Sequence, residues 1–505
     1  MAQLREEYYN QACAIMNVVK DVQASSALLG WDQETYMPEG AGAARAEQIS
    51  TLDTIAHNEM TKPGTMALVE QLRDVEGDDR KSRLIKLFVK ECDRENKLPE
   101  SLVRETSKAC ALAQESWKKA KAERNFALFR NDLQHLVALK TQAAECYGYS
   151  DNKYDALLDL FEPGITVAQL RPVFARLRQG TTEVLDAVRT STVQVPSGIL
   201  SQKFDTSAQV EFARRVCTAI GFDSQHGRID LSVHPFCTSF AQTDVRLTTR
   251  VFEDDVRSCL FGLIHETGHG MYEQGIARDL ARTFGSDGSS MGIHESQSLF
   301  WENVIARSEE FWQWGLPLMK DYFPQQLSGV SSFDFYKAIN TITPSLIRIE
   351  ADELTYNIHI IIRFEIEEAL INGSISVDEV PTIWNAKMKG YLGIEPSHDS
   401  EGCLQDIHWS FGGFGYFPSY TLGKLYAAML RNAVLRDIPG VTDQIRRGEF
   451  ATILQWLRDN IHTHGKTYTP NELIRKVSGE PLSERDFLQY VKAKAARVYD
   501  LSFAE

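Results

Sequence analysis

A helical apolar period runs through almost the whole chain, and only one short stretch departs from it. Up to about Arg189 apolar residues return every three or four positions. In SRLIKLFVKECDREN, for example, Leu84, Leu87, Phe88 and Cys92 are spaced for one helix face, with charges between them. Between residues 228 and 251 the period becomes two: RIDLSVHPFCTSF and TDVRLTTRVF alternate apolar and polar residues and are rich in Val, Thr and Phe. They are read as two strands of a small sheet. FEDDVRSCLFGLIHETGHGMYEQG then reads as a helix with acidic residues in its first turn and Gly275 as its stop. A Gly/Ser stretch, GSDGSSMG, leads into a further helix, HESQSLFWENVIARSEEFWQWG. Helices return to the C-terminus, interrupted by the glycine-rich segment between residues 393 and 420. The expected fold is mainly α, a large helical unit with a small β-sheet beside the 252–275 helix. No linker divides it, so residues 1–505 are read as one unit. Residues 1–190 form its helical N-terminal part, and 191–505 the part with the sheet and the 252–275 helix.

Composition narrows the function. With 505 residues, 43% of them hydrophobic, the chain has enough apolar side chains for a large core, which excludes a disordered chain or a small disulfide scaffold. The 69 acidic against 54 basic side chains leave a net charge of −15, which argues against general affinity for nucleic acid or anionic membranes. Eight scattered cysteines contain no CxxC pair and read as reduced thiols. MAQLREEYYNQ shows no apolar signal region, and no apolar run approaches the roughly 18 residues of a membrane helix, so a cytoplasmic protein is expected.

The chemistry is concentrated in H-E-T-G-H. On a helix, His265 and His269 lie one turn apart on one face, so two imidazoles reach one metal while Glu266 stands beside it to handle water. A catalytic zinc needs a third protein ligand and an open position. Glu295, 26 positions after His269 and next to His294 at the start of the following helix, is the expected third ligand. Glu302, Asp287 and Asp406 are the acidic candidates for orienting the ligating imidazoles, and spacing does not choose among them. His462 and His464, in IHTHGK, lack supporting acidic residues and are read as surface histidines.

Further motifs in the same order carry a family resemblance. HPF (His234–Phe236), DVRLT (Asp244–Thr248), HETGH, HESQ (His294–Gln297), IRIEADE (Ile347–Glu353), GCLQDIHW (Gly402–Trp409) and the N-terminal stretch Trp31–Gln48 resemble the carboxypeptidase Taq family of HEXXH zinc metallocarboxypeptidases over nearly the whole length. The resemblance implies a helical fold with a deep groove, one zinc per chain (for which cobalt can substitute), and broad-specificity release of single C-terminal residues from peptides by a cytosolic homodimer. The acidic charge balance, for its part, predicts no nucleic-acid or membrane partner.

An enzyme of this kind must recognise a free carboxylate, and a guanidinium suits it because it can hold both oxygens. Arg348 is the leading candidate and Arg246 the second. Each has a competing structural reading, Arg348 as partner of Glu350 or Asp352 and Arg246 as partner of Asp244. For the oxyanion, His408 and Tyr420 are chosen over Tyr416. All three lie in or beside the glycine-rich segment, which is expected to be flexible enough to close over substrate. His234 is expected on a strand at the cleft, as a peptide contact or a core histidine. The same metal site also serves an oligopeptidase or dipeptidase mode, which remains the alternative.

Overall fold

The computed structural model describes residues 5–503, so the first four residues of MAQLREEYYNQ lie outside it. The chain is divided into two compact units that are interleaved in sequence. The first takes the residues up to Asn96, Pro196–Ile339 and Leu430–Gly479, and the second takes Lys97–Val195, Asn340–Met429 and the residues from Glu480 on.

In the first unit, helix α1 (Glu6–Thr35) pairs with α2 (Gly42–Thr61). Ala12, Met16 and Val19, at helical spacing on α1, are fully buried. They join Leu68, Val69, Leu72, Leu84, Phe88 and Cys92 in one apolar cluster. The helical spacing read for Leu84, Phe88 and Cys92 is therefore the core face of an observed helix, Arg80–Lys97.

The β region holds three strands rather than two: β1 (Gly227–Leu231), β2 (Cys237–Ala241) and β3 (Asp244–Thr249). Central β3 pairs parallel with β1 and antiparallel with β2, in register Ile229↔Leu247 and Cys237↔Leu247. The expected first strand splits because Pro235 has no N–H to give a ladder. The link between β1 and β2 is stitched to Thr248 instead: the Phe236 N–H and the Ser232 hydroxyl both donate to Thr248 Oγ1, at 3.0 and 2.6 Å. His234 thus lies exposed in a loop, neither on a strand nor in the core.

Helix α3 (Val256–Gly275) follows, capped by Asp255 and ending at the expected glycine. It packs against β2 and β3 and against helix α4 (Met291–Leu299). Gly268 is what lets α4 approach, since a Cβ there would lie 2.5 Å from Gln297 O and Ser298 Cα. The single helix expected from His294 to Gly315 is instead three pieces. After α4 comes a π-helical turn (Phe300–Ala306), and then a fresh helix (Glu309–Tyr322) capped by the Ser308 hydroxyl. Hydrophobic periodicity does not separate a π turn from an α turn, whereas π turns are frequent at functional sites.

In the second unit, helix α5 (Tyr356–Ile371) buries three polar residues spaced four apart, His359, Arg363 and Glu367. Glu367 accepts hydrogen bonds from Tyr154 Oη (2.6 Å), Trp409 Nε1 (2.8 Å) and Gly415 N (3.0 Å). The glycine-rich segment, expected to be a flexible flap, is therefore tied to α5, with Leu404, His408, Trp409 and Phe414 buried. Its glycines serve close packing: a Cβ on Gly415 would lie 2.6 Å from the Leu157 carbonyl oxygen.

Three buried histidines make stability depend on acidity. His359 and His408 in the second unit and His462 in the first are each pushed down to about 3, chiefly by burial. Their native values lie below the usual ~6.5, so as pH falls from about 6.5 towards 3 the unfolded chain takes up protons that the native state refuses. Stability is expected to fall across that window, by up to about 1.4 kcal/mol per pH unit for each histidine. Urea unfolding at pH 7 and pH 5 of the unaltered protein and of His462→Gln checks this, and an equal midpoint shift in the two would show that the His462 imidazole is protonated in the native state.

Candidate metal centre

Because α3 is helical, His265 and His269 project from one face, and the approach of α4 at Gly268 sets Glu295 opposite them. His265 Nε2 and His269 Nε2 lie 3.7 and 3.5 Å from Glu295 Oε2, and the three ligand atoms fall within 4.8 Å of one another. Ligands of a tetrahedral zinc, about 2.0–2.2 Å from the ion, stand roughly 3.3 Å apart, so this donor set fits a single zinc-sized cation. Charge fits as well. Burial disfavours protonated His265, yet the carboxylates of Glu295, Glu302 and Glu266 outweigh it and raise the imidazole to about 10, whereas burial prevails at His269 and pushes it down to about 4.

Behind each imidazole stands a partner. His265 Nδ1 meets Glu302 Oε2 at 2.9 Å, and Glu302 Oε1 accepts from Arg307 at 2.9 Å. His269 Nδ1 meets His294 Nδ1 at 2.5 Å, and His294 Nε2 meets Glu273 Oε1 at 2.6 Å. Of the three acidic candidates, Glu302 is the one within hydrogen-bond distance of a motif histidine. Asp287 pairs with Lys20 at 2.6 Å, and Asp406 accepts from Arg348 and Arg363 in the second unit. Spacing in the sequence assigns neither His294 nor Glu273 a place behind His269. Glu273 did leave a signal, being one turn beyond His269 on the ligand face of α3. Glu266 is buried beside the cluster, and burial first of all pushes its carboxyl up to about 7. The motif histidines, Glu266 and Glu295 are thus brought together.

The other candidates fall into two groups. In the first unit, Arg246 donates to Asp244 at 2.9 and 3.0 Å and stacks over Trp31 (4.4 Å) and Phe240 (4.8 Å), its structural reading. His234 is exposed and remote in kind from a buried contact. In the second unit, Arg348, His408 and Tyr420 do cluster. His408 Nε2 lies 3.1 Å from Tyr420 Oη, and the Arg348 guanidinium lies 4.9 Å from the Tyr420 ring. Arg348 is buried and pairs with neither Glu350 nor Asp352. Its Nε and Nη2 donate to Asp406 Oδ1 at 3.0 and 2.7 Å, and its Nη1 to Tyr356 Oη. A guanidinium carries five N–H groups, so these three bonds do not exhaust it. Tyr416 also packs on His408, with ring centres 5.4 Å apart. His462, expected at the surface, is fully buried with Nε2 3.0 Å from Gln297 Oε1, because Gly275 leaves room for its ring.

Two histidines and a glutamate on packed helices, with a buried glutamate among them, define the class as a helical metallopeptidase. Residues 11–495 match the family described as Carboxypeptidase Taq (M32) metallopeptidase. Carboxypeptidase 1 of Bacillus subtilis (strain 168) is 40% identical over 496 residues, 97% of this chain and 99% of its own length. Thermostable carboxypeptidase 1 of Thermus thermophilus is 37% identical over 492 residues, covering 94% and 95%. Among solved structures, the M32 carboxypeptidase from Deinococcus radiodurans R1 superposes with a TM-score of 0.95 at 34% identity, covering 98% of this chain and 100% of that one. The chain belongs to the carboxypeptidase Taq family of metallopeptidases and is a hydrolase of peptide bonds.

Proposed function

We propose that this enzyme is a zinc carboxypeptidase that releases single C-terminal amino acids from peptides with broad side-chain tolerance, the entire chain acting as one catalytic unit. What carries the reading is the convergence of His265, His269 and Glu295 with buried Glu266 beside them. A zinc ion held by these three side chains supplies Lewis acidity towards the scissile carbonyl and towards water. Glu266 takes the water proton and returns it to the leaving amine, a task suited to a carboxyl raised from its usual range by burial. Glu302 keeps the ring of His265 in the orientation its ligand nitrogen needs. Arg348 is assigned to the substrate's terminal carboxylate. The hydrogen-bonded pair His408 and Tyr420 is assigned to the developing oxyanion, His408 being held neutral by burial. Arg246 and His234 have weaker claims on substrate, the first because its donors are committed to Asp244. Cobalt as a substitute metal, a homodimer and a cytoplasmic location rest on the family resemblance. Among the described residues no helix is long and apolar enough to cross a membrane.

The test compares an unblocked peptide with its C-terminal amide by mass spectrometry, using zinc-loaded protein. Loss of one residue at a time from the free acid, with the amide at least tenfold slower, is the expected outcome. Internal fragments or released dipeptides from both peptides would replace this reading with the oligopeptidase mode.

A further inference from the structure

The two ligating imidazoles are held differently. With a metal held between both Nε2 atoms and Glu295, both Nδ1 atoms would carry a proton and donate it. His265 donates to Glu302, a carboxylate braced by Arg307, the usual kind of partner for a zinc-bound histidine. His269 donates to a second imidazole. His294 must then accept at Nδ1 and carry its own proton on Nε2, which it donates to Glu273. In the metal-bound site this proton arrangement satisfies every contact in the chain and leaves the lone pair of His269 Nε2 directed at the ligand cluster.

We propose that His294 is a positioning residue for the metal centre: joined to Glu273, it fixes the tautomer and ring orientation of His269 and thereby sets how tightly the site holds its metal. This rests on the metal-site reading above. The surroundings leave His294 little freedom. Its ring lies between those of His269 and Tyr272, with centres 4.7 and 5.1 Å away. A Cβ on Gly288 would come within 2.8 Å of its Cδ2, so the GSDGSSMG segment closes over it only because that residue is glycine. Tyr272 is held in turn by accepting the Ser289 N–H at 3.0 Å. At the outer end, Glu273 lines a cavity of about 350 Å³, where the Lys20 ammonium, paired with Asp287, stands in its field. Glu273 sits four residues beyond His269 on α3, and His294 immediately precedes Glu295 on α4. The two helices that supply the ligands therefore also supply this support.

Zinc dissociation constants measured by chelator competition test the proposal without reference to turnover. His294→Leu keeps bulk but neither accepts nor donates, and is expected to weaken zinc binding about 10–100-fold. His294→Gln carries an acceptor and a donor in one amide and is expected to recover most of that loss, which a purely space-filling role would not produce. Glu273→Leu, which leaves the His294 ring in place, is expected to weaken zinc in the same direction and serves if His294→Leu fails to fold. In cobalt-loaded protein, His294→Leu is expected to shift the visible absorption bands. Wild-type zinc affinity in both leucine variants, or a glutamine variant as weak as His294→Leu, would overturn the proposal. Failure of the unaltered protein to bind zinc would instead overturn the metal-site reading itself.

Discussion

Glu266→Gln is expected to lower kcat on an unblocked peptide by about 10²–10⁴-fold while zinc content stays at that of the unaltered enzyme. The carboxyl is buried next to His265 and is not among the three ligand-bearing residues, so its amide preserves volume and leaves the donor set intact. What the amide cannot do is take a proton from water and return it to the leaving amine. Burial makes the comparison clean, since little bulk water reaches that position to act as a substitute base. Glu266→Asp keeps the carboxyl but withdraws it by one methylene and is expected to fall between the two. Turnover within tenfold of wild type in a zinc-replete Glu266→Gln enzyme would remove Glu266 from the base role and send the search to another proton acceptor.

Asp406→Ala is expected to cost the second unit about 3–5 kcal/mol of stability, the scale for removing one partner of a buried ion pair. Burial alone would raise the Asp406 carboxyl, but the guanidinium groups of Arg363 and Arg348 overcome this and hold it far below its usual range. Arg363 is completely buried and Arg348 nearly so. Deleting the carboxylate strands two cations in low dielectric. Arg348→Met is expected to be milder, because Asp406 would still have Arg363, from which it accepts at 2.7 Å. Urea unfolding of the two variants gives the ordering, and equal losses would mean that Arg363 does not share the charge of Asp406. The same triad supports the proposal of Arg348 rather than Arg246 for the substrate carboxylate. Two cations share one anion there, whereas Arg246 is matched one to one by Asp244.

The parts of the site legible in the sequence are those written within one element. His265, Glu266 and His269 share five residues, and helical period alone puts both histidines on one face. Glu295 was legible because it follows directly on a histidine at the start of the next helix. The Asp244 pairing of Arg246 was also within reach, since residues two apart on a strand share a face. Errors arose where the backbone met something distant. The 228–240 stretch has strand composition throughout, but Pro235 and the side chain of Thr248 divide it. His462 looks like a surface residue in IHTHGK and is buried because Gly275, far away in sequence, makes room for it. A glycine-rich segment reads as mobile, yet Gly415 gives its N–H to Glu367, 48 residues earlier.

The sequence by itself determined the mainly helical class, the two-histidine face of α3, the catalytic glutamate candidate and the third-ligand candidate, because periodicity and spacing act through local backbone geometry. Only the tertiary structure decided which carboxylate serves which histidine, that His294 and Glu273 stand behind His269, and that Asp406 holds two arginines rather than a metal ligand. Those choices depend on side chains from separate elements meeting in a low-dielectric interior, where every buried donor must find an acceptor, and that accounting is settled by packing rather than by position in the chain.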